Sequence, residues 1–198
     1  MTEPHDIPGT LKDRHNSLTR ELILQSAVDE LEQGSPDGLT MRAIARRSNM
    51  AERTLFRHFA SREDLLDALA VEVTARIGQP PLPREASRLP EAAQELYGAY
   101  EAHAELTRAA LHSELFERIR ESVARERWNA DKALVDKVAP DRPAQDRKLA
   151  AANIRMVLSA TCWHYYRFYF GFSFGHSVAA ARLVIEQTID GLTAAAQG

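Results

Sequence analysis

The chain has 198 residues, 44% of them hydrophobic and 27% charged, with a formal net charge of −3. That length suits one large domain or two small ones with a buried core, and the balance excludes a wholly disordered or collagen-like chain. No apolar run approaches the roughly 18 residues of a membrane-crossing helix, the amino terminus lacks the apolar core of a secretory signal, and the single cysteine, Cys162, excludes an intramolecular disulfide or a cysteine-rich zinc site; a cytoplasmic location is expected.

Charge is unevenly distributed. Residues 40–62 hold Arg42, Arg46, Arg47, Arg53, Arg57 and Arg62 against one acid, Glu52, a local charge of +5 that leaves −8 for the rest of the chain. An arginine cluster on an otherwise acidic chain can attract phosphate without making the whole surface adhesive. The plainer reading of such a cluster is a solvated helix face.

In chain order, residues 1–16 are polar and read as a mobile arm. A helix follows from about Leu18, with Ile23, Leu24, Ala27, Val28 and Leu31 on one face. Gly34 and the stretch Ser35-Pro36-Asp37-Gly38 end it. Thr40 offers an N-cap to a short helix over 41–48, and Asn49 tolerates the left-handed backbone of a sharp turn. A second short helix covers 51–59, and a longer one covers 61–77 with Leu65, Leu66, Leu69, Val73 and Ile77 inward. Pro80, Pro81, Pro83 and Pro90 mark a broken connection. Beyond it, helices are expected near 91–112, 113–138, 145–171 and 176–196, with no strand pair. The fold class is all-α.

The segment LTMRAIARRSNMAERTLFRHF, residues 39–59, carries the chemistry. Two short helices around a tight turn form a helix-turn-helix. Ala45 is small where the second helix must come close, and Ile44, Met50, Leu55 and Phe59 can share a core with the first helix. Glu52, Arg53, Thr54, Arg57 and His58 are then outward. Arginine near the amino end of an outward helix suits guanine in a major groove, and threonine suits a thymine methyl or a phosphate.

On these residues the segment resembles the amino-terminal domain of TetR-family transcriptional regulators, through Leu39–Ala45, Ala51–Phe59 and the SREDLLDAL stretch from Ser61 to Leu69. The likeness covers about Arg20 to Ala70. Four positions depart from the common pattern: Asn49 stands for glycine, Met50 for valine, Phe56 for a frequent tyrosine, and Arg62 for a frequent lysine. The resemblance implies a three-helix DNA-binding domain over 17–62, preceded by a disordered arm over 1–16. A fourth helix joins it to a larger helical bundle over 63–198 for dimerisation and effector binding. It implies that Thr40, Arg42, Arg57, His58 and Arg62 meet phosphate while Glu52, Arg53 and Thr54 face base edges. Phe56 sits among these DNA-facing positions.

The carboxy-terminal region is read more weakly. Ile154, Val157, Leu158, Thr161 and Tyr165 on one helix, with Val178, Ala181, Ile185, Thr188 and Leu192 on another, could form a four-helix dimer interface. The aromatic run from Cys162 to Gly175 could line a pocket for an apolar ligand. Trp163, Tyr166, Arg167 and Phe170 would join Tyr97, Tyr100, His103, Phe116, Arg120 and Trp128 there. Ordinary core packing is the plainer reading of each.

No catalytic or metal constellation and no phosphate-binding glycine loop is evident, so no enzyme activity and no cofactor is expected. The resulting expectation is a homodimeric repressor on a palindromic operator in double-stranded DNA, released by a small apolar or aromatic effector. The alternatives are a helical enzyme or carrier that uses the aromatic cavity, and a ligand-independent regulator.

Overall fold

In the computed structural model, which describes residues 10–34 and 38–194, every regular element is helical. Helix α1 runs from Leu11 to Gln33, seven residues earlier than its apolar pattern begins. The reason is a capping box. The Thr10 hydroxyl accepts from the Asp13 amide at 3.2 Å, and the Asp13 carboxylate accepts from the Thr10 amide at 3.0 Å. Two otherwise unsatisfied donors are thereby paired, which suffices to start a helix on polar residues. Residues 11–16, expected as part of an arm, are helical; residues 1–9 lie outside the described residues. Gly34 closes α1 in the left-handed region at φ 59°, its amide bonded to the Leu31 carbonyl, and the expected turn residues 35–37 also lie outside the described set.

Helices α2 (Met41–Arg47), α3 (Glu52–His58) and α4 (Arg62–Ile77) follow. The chain divides into two units, residues 1–72 and 73–198, and the division falls within α4. In the first unit Ile23, Ala27, Val28 and Leu31 of α1 are buried with Ile44 and Ala45 of α2, Leu55 of α3, Phe59, and Leu65, Leu66 and Leu69 of α4. Leu24, expected inward, is half-buried. Each fully buried valine, leucine, isoleucine or phenylalanine among them is worth about 1.5–3 kcal/mol relative to exposure.

In the second unit a 3₁₀ turn over Ala86–Arg88 leads into α5 (Leu89–Ala102), which carries Pro90 in its first turn, where its missing amide leaves no hydrogen bond unmade. Helices α6 (Ala104–Leu111), α7 (Leu115–Val138), α8 (Ala144–Val157), α9 (Ala160–His164) and α10 (Phe174–Ala194) complete it, with a π-helical turn over Tyr165–Tyr169 continuing from α9. Helix α10 packs on α5 and α8, and α7 packs on α8.

Two expected long helices are each broken in two. His103 departs from helical backbone between α5 and α6. Ser159, in extended conformation, stops α8 and caps α9 by accepting from the Cys162 amide at 3.2 Å. The last carbonyl of α8, on Val157, accepts from the buried Tyr97 hydroxyl at 2.8 Å. That bond satisfies a helix-end acceptor deep in the core.

Candidate functional site

The turn between α2 and α3 is built as its residues require. Asn49 lies at φ 53°, the only non-glycine with positive φ among the described residues. The Met50 amide reaches back to the Ala45 carbonyl at 2.9 Å, so the chain reverses tightly around a small residue. Thr40 caps α2 by accepting from the Ala43 amide at 3.1 Å, which leaves its own hydroxyl proton available to an outside acceptor.

Helix α3 buries Leu55 and presents Glu52, Arg53, Phe56 and Arg57 to solvent, with Thr54 half-buried at the edge. Phe56 is 48% exposed, a large ring on an outward face between two arginines. Arg42, at the start of α2, is also exposed. Arg42, Arg53 and Arg57 make no ion pair among the described residues, so their guanidinium groups remain open to an outside anion.

Two residues expected at phosphate have other duties. Arg62 donates from Nε to the Leu39 carbonyl at 3.0 Å, tying the start of α4 to the strand of chain before α2, and lies 3.5 Å from Glu63. His58 is half-buried with its Nε2 unpartnered. Burial first, then the charges of Arg57, Arg20 and His15, hold its pKa below the ordinary imidazole value. It is therefore uncharged at neutral pH and adds no cation to the face.

Sequence reading missed Arg20. Its Nη1 donates to the His58 carbonyl at 2.7 Å, and its guanidinium sits 4.0 Å from the Phe59 ring centroid. It clamps the carboxy end of α3 to α1. Arg47 likewise locks α2 to α1 through Glu30 at 2.5 Å. The signal for both lay only in contacts between residues far apart in the chain.

In the second unit a cavity of about 560 Å³ opens among α5 to α9, within the size range of small-molecule sites. Of the ten residues expected in a pocket, Tyr100, Phe116, Arg120 and Trp128 line it. The other six do not. Tyr97 is core, bonded to Val157, and His103 is exposed at the helix break. Trp163 is fully buried and donates from Nε1 to Glu101 at 3.1 Å. Arg167 pairs with both carboxylate oxygens of Glu101, at 2.9 and 2.5 Å. Tyr166 stacks on Phe172, and Phe170 is 54% exposed. The aromatic run therefore forms a partly exposed ledge tied down through Glu101 rather than a wall of this cavity.

The cavity instead recruits Thr107, Arg127 and Arg155. Arg155 bonds Asp131 at 3.2 Å, and among the described residues Arg127 donates only to the Pro80 carbonyl, at 3.3 Å. Burial depresses the Arg127 pKa and raises that of Asp131. Burial also pushes the Tyr100 hydroxyl up to about 12, against the pull of Arg127 and Arg155, so it stays neutral.

The residues of the expected dimer stripe lie mostly inside the single chain. Ile154, Val157, Leu158, Val178, Ala181, Ile185 and Leu192 are buried within the chain itself, Thr161 and Thr188 are half-buried, and only Tyr165 is exposed. Apolar spacing marks a buried face without saying which neighbour buries it, and here α8 and α10 bury each other. Among the described residues no three His, Cys, Asp or Glu side chains gather to hold a metal, and no helix is long and apolar enough to cross a membrane.

Residues 23–69 match the family described as bacterial regulatory proteins, tetR family. Tetracycline repressor protein class D of Escherichia coli is 41% identical over 59 residues, 30% of this chain and 27% of that protein. The class H repressor of Photobacterium damsela subsp. piscicida gives the same identity and coverage. The chain thus matches about a quarter of the length of these curated relatives. Over longer spans the likeness is one of fold. A TetR-like transcriptional regulator from Rhodococcus sp. RHA1 superposes with a TM-score of 0.60 at 19% identity, covering 87% of this chain and 96% of that one. A TetR family regulator from Chloroflexus aurantiacus J-10-FL gives 0.55 at 21% identity, covering 89% and 92%.

Proposed function

We propose, from the match of its amino-terminal domain to the tetR family of bacterial regulatory proteins, that the chain is a TetR-family regulator that represses transcription as a homodimer on a palindromic operator, released by a small effector. The observation that carries the DNA-reading part is the outward face of α3. Arg53 and Arg57 stand there exposed and unpaired on a helix whose opposite side is anchored through Leu55 and the Arg20 clamp. An arginine fork on a rigid helix can bond guanine bidentately, while Arg42 and the Thr40 hydroxyl are suited to fix register on phosphate.

The homodimer reading is supported by Leu149 on α8 and Leu183 on α10, both more than half exposed. Large apolar side chains left in water on adjoining helices are the kind of surface a second copy covers. The effector reading is supported by the cavity of the second unit. Selection of bound sequences from random duplexes tests the function. The expected result is an inverted repeat with half-sites about one or more helical turns apart, bound more weakly as salt rises. Recovery of no common sequence would overturn it.

A further inference from the structure

Around the cavity of the second unit, the Thr107 hydroxyl and one oxygen of Asp131 are buried without a hydrogen-bond partner among the described residues, and the Arg127 guanidinium makes a single bond, to the Pro80 carbonyl. Thr107 is 1% exposed with its Oγ1 unpartnered, and it lines the cavity. A buried hydroxyl without a partner is destabilising unless something outside the fold completes it.

The charges around the cavity do not balance. Arg120 is matched by Glu117 at 2.5 Å on the same helix. Arg127 and Arg155 share one fully buried carboxylate, Asp131, which does not line the cavity, and the charge of Glu126, which also acts on Arg127, is exposed to water. The Asp131 Oδ2 holds Arg155, and Asp131 stands one helical turn beyond Arg127 on α7, so it backs both guanidiniums while they face the open space. The pair therefore presents to a partly desolvated cavity one positive charge that no buried carboxylate matches. The remaining walls, Phe116, Ile119, Val123, Trp128 and Met156, are apolar.

We propose that the cavity takes a ligand with an extended apolar body and a single carboxylate head, the head seated on Arg127 and Arg155 with the Thr107 and Tyr100 hydroxyls beside it. A monoanion neutralises the one excess charge, and a planar carboxylate matches a guanidinium fork. A cationic head meets like charge, and a wholly apolar ligand leaves Arg127 further desolvated without a counter-charge. The inference rests on the effector reading of this cavity and assigns the chemistry of what fills it.

Decanoate and decanol share one tail and differ in the head, so calorimetric titration of the full chain with each separates the two ideas. Decanoate should bind once per chain and at least about tenfold tighter than decanol, in line with a charged hydrogen bond made in a dry site. Arg127→Gln should lower decanoate affinity at least about tenfold and leave decanol within about threefold. Arg127→Lys keeps the charge and loses the fork, so it should retain the preference for decanoate at reduced affinity, and it carries the test if the glutamine variant unfolds. Equal binding of the two probes, or an equal loss of both in Arg127→Gln, overturns the anionic head while the apolar cavity stands. Binding of neither overturns the head and the effector reading together, and a DNA selection remains independent of both outcomes.

Discussion

Three arginines of the first unit and three of the second stand in opposite settings. In the first, Arg42, Arg53 and Arg57 stand in water without ion pairs, ready for a polyanion that arrives from outside. In the second, Arg127, Arg155 and Arg167 are turned inward against backbone, Asp131 and Glu101. The same side chain is a long-range attractor in one place and a short-range structural or recognition group in the other. Coulomb energies explain the difference: an exposed charge acts weakly over distance and is screened by salt, whereas a buried one acts strongly on its immediate neighbour and costs much when left alone.

The largest expected effect tests the inward setting. Arg155→Met leaves the fully buried Asp131 carboxylate without the guanidinium that bonds it. Removing one partner of a buried pair costs about 3–5 kcal/mol, and replacing both by apolar groups of similar size costs far less. Denaturant unfolding should therefore show a large loss for Arg155→Met and recovery of most of it in the double variant Arg155→Met/Asp131→Leu. A single variant as stable as the parent would mean that the buried carboxylate needs no partner.

The outward setting predicts a smaller effect with a different signature. Arg53→Ala should cost about 1–3 kcal/mol on the preferred operator and relax preference at one position per half-site. Arg42→Ala should weaken all duplexes about equally and reduce the slope of log affinity against log salt by about one per contact removed. Binding measured on matched and scrambled duplexes at several salt concentrations separates the two. Identical behaviour of the variants would remove the distinction between base reading and phosphate contact.

The contrast also explains what could be read from sequence. The signals that form α2, its turn and α3 lie within twenty residues: the Thr40 cap, Asn49 at the turn, Leu55 and Phe59 on the inner face; the clamps to α1 from Arg20 and Glu30 do not. Local signals suffice because the element is local. The start of α1 was written in Thr10 and Asp13, but a polar first turn hides in a polar segment. In the second unit the decisive contacts are distant. Arg127 and Arg155 look like ordinary charges on solvated helices, and Asp131, which orders them, lies on the helix of one of them and faces the other across the interior. The aromatic run misled because its partner, Glu101, sits 66 residues before Arg167. Composition reports which groups are present, and only packing reports which of them remain free.

Between these extremes lies Glu101, the inward ion pair nearest the surface. The hydrogen bond from Arg167 is the largest cause holding its pKa below the ordinary glutamate value, with a further bond from Trp163 and an opposing cost of burial. A carboxylate whose folded pKa is depressed contributes stability above its unfolded pKa and loses it as pH falls through the folded one. Glu101→Gln should therefore be less stable than the parent at neutral pH, and the gap should close as pH drops into and below the carboxylate range. Parallel melts followed by fluorescence of the buried Trp163 read this directly; a gap independent of pH would assign the loss to packing instead.

The smallest expected effect is at Asn49, where the outward helix depends on a backbone conformation rather than on a charge. At φ 53° a β-carbon crowds the following carbonyl, and asparagine tolerates this better than most residues because its short amide can bond locally. Asn49→Ala keeps the β-carbon and loses the amide, so it should cost about 1 kcal/mol of stability. Asn49→Gly removes the steric penalty but gives the unfolded chain more freedom, two effects that nearly offset. The glycine variant should accordingly match the parent within a few tenths of a kcal/mol in unfolding and bind operator as well. If it binds more weakly while unfolding unchanged, the turn does more than connect two helices: the Asn49 side chain itself, exposed at the mouth of the helix-turn-helix, would then belong to the DNA-facing surface.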